Sequence, residues 1–151
     1  MANTQTVLLL SDFSKIADRA ADLALELALN NCKDLLIYNS IVLIEAYILT
    51  DERRSQANEI NQRTSKSIVY SKKLIDRLKF KLSIDRQAQI QITAQEGTGG
   101  PVETILNLVT ENNIWMVVMG NHDDLQMSNR YLDSNVPLVM NNCGCPLLLV
   151  P

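Results

Sequence analysis

VLLLSDFSKIADRAADLALELA, residues 7–28, changes its backbone period within a few residues. Thr6–Leu10 is a short continuous apolar run, the pattern of a strand covered on both faces. It ends at Ser11-Asp12-Phe13-Ser14. Beyond that turn, Ile16, Ala20, Leu23, Ala24, Leu27 and Ala28 recur every three or four residues and share one helical face. Asp12 or Ser14 can cap this helix by accepting from the free N–H groups of its first turn. A buried strand that passes straight into an amphipathic helix is the opening of a β-α-β unit.

The rest of the chain repeats that alternation. Leu35–Val42 reads as a second buried strand. Ala57, Ile60, Thr64, Ile68, Ser71, Ile75, Leu78 and Leu82 trace a long amphipathic helix. Gln89–Ala94 alternates polar and apolar residues, with Ile90 and Ile92 facing inward, as an outer strand does. Gly97–Gly100 is a loop, and Pro101 suits the first turn of a helix whose apolar face is Val102, Ile105, Leu106 and Val109. Trp115–Met119 is a further buried strand ending at Gly120. A polar stretch, a short helix near Ser134–Asn142 and a last strand, Leu147–Val150, complete the order. This predicts an α/β fold, a doubly wound five-stranded parallel sheet with helices on both faces. Ligands of such sheets collect at the carboxyl ends of the strands, near the topological switch point. Ser11–Ser14 and Gly120–Asn129 are the loops so placed.

Composition narrows the classes. With 151 residues, 46% hydrophobic and 21% charged, the chain fits a single globular domain over residues 1–151 rather than a disordered one. Its longest apolar runs fall far short of the ~20 residues of a membrane helix, and no basic, apolar leader opens it, so no membrane partner is expected. A net charge of −3 supplies no overall attraction to nucleic acid. Three cysteines, at 32, 143 and 145, suit reduced thiols and a cytoplasmic location. All five glycines and four prolines lie at or beyond Gly97, so long regular elements are expected before it and functional loops after it.

Three stretches carry a resemblance: the opening segment 7–28, MGNHDD at 119–124 and CPLLLVP at 145–151. Together, in this order and spacing over nearly the whole chain, they are similar to the universal stress protein family. The resemblance implies a sheet ordered 3-2-1-4-5, a homodimer and a role in stress responses. One branch of that family binds ATP through Gly-x-x-Gly, nine residues, then Gly-Ser or Gly-Thr. Counted from Gly120, the second glycine position is Asp123 and the third is Asp133, followed by Ser134. Glycine there lets backbone N–H groups reach a phosphate. Aspartate places a carboxylate where a triphosphate would lie, and two like charges ~4 Å apart at an effective dielectric of 20 repel by ~4 kcal/mol. Asp133 or Ser134 can also cap the last helix and occupy the donors a phosphate needs.

The resemblance implies a vestigial adenine-nucleotide pocket made of Asp12, Ile41, Val42, Met119, Gly120, Asn121, His122 and Ser134, blocked by Asp123 and Asp133. Asp12 matches an adenine-contacting acid, Ile41 and Val42 the backbone beside the base, and Met119-Gly120 the strand end beneath the ribose. The family's frequent proline before that acid is Ser11 here. No cofactor is therefore expected, with AMP or adenosine less disfavoured than ATP. The expected function is non-enzymatic: a homodimer, paired through Leu147–Val150, that binds a protein partner or small ligand. The alternative is an ATP- or AMP-binding member that switches with nucleotide or hydrolyses ATP weakly.

Plainer readings stand beside these. Capping explains Asp12 without a ligand. His122, with Asp123 and Asp124, is too contiguous to surround a metal ion. Cys143-Gly144-Cys145 reads as a small-residue entry to the last strand, with reversible oxidation as the other reading. Lys72, Lys73, Arg77, Lys79, Lys81 and Arg86 read as a solvated face, because Phe80 alone does not provide the interleaved aromatics of a nucleic-acid surface. Gly97–Gly100 lacks the Lys-Ser/Thr of a phosphate loop. A receiver domain would need paired acids after the first strand, where Asp12 stands alone, and a flavodoxin a longer hydroxyl-rich loop there.

Overall fold

A computed structural model describes residues 4–11, 15–40, 56–97, 101–120 and 141–151. In chain order the elements are β1 (Thr6–Leu10), α1 (Lys15–Asn30), β2 (Asp34–Ser40), α2 (Gln56–Phe80), α3 (Ile84–Gln87), β3 (Ile92–Gly97), α4 (Pro101–Glu111), β4 (Ile114–Gly120) and β5 (Leu147–Val150). The five strands form one sheet in the order β3-β2-β1-β4-β5, and every pairing is parallel. The doubly wound sheet and its strand order are as expected.

Strand side chains alternate between two cores. Val7, Leu9, Leu35, Ile37, Val118 and Val150 face α1 and α2, together with Ala20, Ala24, Leu74 and Leu78. Leu8, Leu10, Leu36, Tyr38, Val117 and Met119 face α4, with Ile105, Leu108 and Cys143. This double cover explains why β1, β2 and β4 read as unbroken apolar runs. In β4 the register slips by one residue, Thr6 pairing with Ile114 but Val7 with Met116, which leaves Trp115 as a bulge.

Several boundaries and faces differ from the sequence reading. Over residues 17–30 the buried face of α1 is Ala17, Ala20, Ala21, Ala24, Leu25 and Ala28, while Leu23 and Leu27 sit at its half-buried margins; the Ile16 side chain lies outside the described ones. Alanines let the helix axis approach the sheet closely, and the bulkier leucines fill the grooves on either side. Over the part of α2 whose side chains are described, residues 68–80, the buried ones are Ser71, Leu74 and Leu78, continued by Leu82 beyond the helix, and Ile68 is half exposed. The third strand begins at Ile92 rather than Gln89, because α3 occupies the chain just before it. Ile90 and Ile92 are both buried, as expected, but Ile90 lies in the turn that precedes β3. Gly97 closes β3 instead of opening a loop. Of the short helix near Ser134–Asn142, only Asn141 and Asn142 are described, and both are helical.

Among its described residues the long glycine-free stretch makes a left-handed turn without glycine. Cys32 has φ +53°, its N–H donates to Leu29 O, and the Lys33 N–H donates to Ala28 O at 2.9 Å. That 6→1 and 5→2 pair is a Schellman closure of α1, with cysteine at the position glycine usually takes.

An ionic latch joins α1 to α2. Asp22 Oδ1 accepts from Arg77 Nη1 at 2.8 Å and from Lys81 Nζ at 2.7 Å, and Arg77 Nη2 lies 3.6 Å from Asp18. Partial burial pushes the Asp22 carboxyl upward, but the hydrogen bonds and charges of Lys81 and Arg77 outweigh it and hold the group below its ordinary value. Two cations of the basic run are thereby committed to structure.

Candidate functional site at the strand ends

The carboxyl ends of β2, β1 and β4 lie side by side. Leu10 pairs with Tyr38 on one side and with Met119 on the other, and Gly120 pairs with Val150 of β5. The chain goes from β1 through α1 to β2 on one face, and reaches β4 through α4 on the other. The junction between β1 and β4 is therefore the switch point of the sheet, the place where a doubly wound fold has its ligand crevice.

The floor of this crevice is close-packed. Tyr38 and Met119 are buried in one cluster with Leu8 and Leu10, and Ser11 is 1% exposed. Of the expected site residues, Met119 and Gly120 are described. They sit at the switch point, buried, where the resemblance puts the strand end beneath a ribose. Asp12, Ile41, Val42, Asn121, His122, Ser134 and the two acids Asp123 and Asp133 lie outside the described residues. The strand β2 is described to Ser40, one residue before Ile41. Each of the three chain segments bearing these residues departs from one of the three adjoining strand ends.

Ser11 stands where the family often has proline, and its N–H has a structural use that sequence alone does not reveal. That N–H donates to Tyr38 O at 3.0 Å, one residue past the last rung of β1. Proline has no such donor. The β1–β2 ladder consequently runs one step further into the crevice, fixing the backbone immediately before Asp12. Ser11→Pro is expected to cost about 1 kcal/mol or more, because a buried carbonyl loses its partner. Urea denaturation should register it as a lower midpoint at unchanged slope.

At the other end of β5 the cysteine pair is structural in character. Cys143 is buried, and its Sγ donates to Cys145 O at 3.1 Å. Gly144 makes the intervening turn at φ +69°. Burial, then the charge and hydrogen bond of Cys143, push the Cys145 thiol up to about 11. A thiol so raised carries little thiolate at neutral pH, which supports the strand-entry reading over a reactive dithiol. Timed alkylation at pH 7.5 should label the exposed Cys32 first. Cys145 should lag an ordinary thiol by about 100-fold, the ratio set by a two-unit rise. Equal labelling of all three thiols would overturn this. Among the described residues no group of three or more His, Cys, Asp or Glu side chains could hold a metal ion. No described helix is long and apolar enough to cross a membrane.

The model of the universal stress protein family matches residues 3–151. No curated protein matches the chain. Solved structures share the fold at low identity. A universal stress protein in complex with cAMP is 22% identical, with 99% of each chain covered and a TM-score of 0.67. A protein of this family from Burkholderia pseudomallei is 17% identical, covering 100% of this chain and 98% of its own, at a TM-score of 0.66. The universal stress protein from Archaeoglobus fulgidus in complex with dAMP is 14% identical over the full length of both chains, at a TM-score of 0.62.

Proposed function

The chain belongs to the universal stress protein family, and from that premise we propose that it is a cytoplasmic, non-enzymatic homodimer whose crevice opposes ATP and takes a ligand with a shorter phosphate tail, or a protein partner. The observation that carries this reading is the position of Gly120. It ends β4 at the switch point of the sheet, and the phosphate-binding spacing counted from it meets Asp123 and Asp133 instead of glycine. By the family's spacing these two acids take the places of the phosphate-loop glycines, so a triphosphate bound in the family's manner would meet two negative charges. Adenosine or a monophosphate places less charge near them, and its base and ribose need only the β1, β2 and β4 ends.

Two relatives of the same fold are described in complex with cAMP and with dAMP. Both ligands are adenine nucleotides with a single phosphate. They support a monophosphate as the chemistry this crevice favours. The non-enzymatic part of the reading rests on the sequence: general acid–base work needs a base held by a partner and facing a nucleophile, and Asp12, His122, Asp123 and Asp124 do not spell such a constellation.

Mass spectrometry of small molecules released from the denatured, freshly purified protein tests the reading. The expected result is no stoichiometric ATP, with AMP or no nucleotide recovered. ATP recovered at one per chain would overturn it.

A further inference from the structure

The net charge of −3 conceals a strongly basic corner. Residues 71–86 hold Lys72, Lys73, Arg77, Lys79, Lys81 and Arg86 against Asp76 and Asp85. Arg77 and Lys81 are spent on Asp18 and Asp22. Lys72, Lys73, Lys79 and Arg86 make no ion pair among the described residues, and all four are exposed. In the middle of this charge stand two large apolar side chains. Phe80 is 90% exposed and Ile84 is 84% exposed.

The corner that bears them is built, rather than frayed. Ser83 caps α3 by accepting from the Arg86 N–H. The Gln87 amide folds back and donates to Lys79 O at 2.9 Å and to Leu82 O at 3.1 Å, closing the carboxyl end of α2. Leu82 anchors the loop in the core. Phe80 and Ile84 thus lie four residues apart on one turn, exposed to water and braced by the N–H bonds of Lys81 to Leu78 O and Leu82 to Lys79 O before it and of Gln87 to Ser83 O and Ala88 to Ile84 O after it. The corner precedes β3, so it lies toward the amino ends of the strands, away from the nucleotide crevice.

Against the sequence expectation of a solvated face and no membrane partner, we propose that this corner is a docking surface for an anionic lipid bilayer, with Phe80 and Ile84 entering the interface and Lys72, Lys73, Lys79 and Arg86 meeting the headgroups. The apolar pair protrudes, and a bilayer receives a protruding aromatic and aliphatic side chain without a preformed pocket. Lysines on flexible stems meet mobile anionic headgroups in any register, whereas a protein partner would have to match four unpaired cations with fixed carboxylates. Each cation near an anionic surface contributes about 1 kcal/mol, which converts to roughly fivefold in affinity.

Co-sedimentation of the full chain with phosphatidylcholine vesicles containing about one-third phosphatidylserine tests the surface. Binding is expected on these vesicles, weakening as salt rises, and not on pure phosphatidylcholine. The double variant Lys72→Gln/Lys73→Gln should lose about 30-fold in affinity by the same conversion. Phe80→Ser, a change at a side chain already in water, should weaken binding while leaving circular dichroism and the thermal midpoint unchanged. No preference for anionic vesicles, or a Phe80→Ser protein that binds them as well as the parent, overturns the proposal. So does tight binding to polyglutamate by a protein that ignores the vesicles, which would assign the corner to an acidic polypeptide.

Discussion

Asp123→Gly/Asp133→Gly is expected to tighten binding of magnesium-ATP by about 100-fold, from weaker than about 100 μM to the low micromolar range. Each aspartate adds a negative charge at a position where, by spacing, the family's binding branch keeps glycine. Discounting ~4 kcal/mol several-fold for solvent screening leaves about tenfold per carboxylate. Glycine also returns the freedom of φ that lets successive N–H groups turn toward a phosphate. Isothermal titration calorimetry of parent and variant reads the change directly. AMP is the internal control. Its single phosphate contributes fewer charges to the repulsion, so its affinity should move much less. Parent protein that already binds ATP in the micromolar range would overturn the proposed discrimination, and a variant that gains nothing would show that the two acids do not set it.

Leu149→Lys should weaken self-association by roughly 100-fold. The strand β5 is at an edge of the sheet, with β4 beside it. Leu148 and Val150 pack into the core shared with α1, and Leu147 packs on the opposite face with Ile105 and Leu108. Leu149 alone of the four is exposed, at 36%. An edge strand with an outward leucine is a template for pairing with another chain, and a twofold arrangement places the same strand of each copy at one self-complementary contact. Every substitution then acts twice. Losing about 1.5 kcal/mol of apolar burial per copy approaches 3 kcal/mol for the pair, or about 100-fold. Apposed lysines would add repulsion. Sedimentation velocity at micromolar concentration should give the parent near twice 16.9 kDa and the variant near the monomer mass. A monomeric parent would refute the interface.

The leucine edge is described residue by residue. The acids are placed by spacing alone, because 121–140 lies outside the described residues, so calorimetry is the stronger test of the crevice.

Local periodicity determined which segments are strands and which are helices. Thr6–Leu10 and Leu147–Val150 coincide with β1 and β5, since a double-covered strand must be apolar at every position whatever its neighbours are. The order 3-2-1-4-5 came with the family resemblance and is the order observed. What periodicity left open is how deeply each residue sits. A leucine and an alanine both mark an apolar face, yet in α1 the alanines lie against the sheet and Leu23 and Leu27 at the margins. That choice depends on the space left by β1 and β4. Likewise, nothing in Ile84-Asp85-Arg86-Gln87 alone marks a helix, because its closing bonds reach back to Lys79 and Leu82. The Cys32 turn and the Ser11 rung also arise from partners brought close by the fold: Ala28 and Leu29 for one, Tyr38 for the other. Sequence sets the alternation because each residue's burial pattern is local; tertiary structure decides depth, register and closure because those depend on what packs opposite.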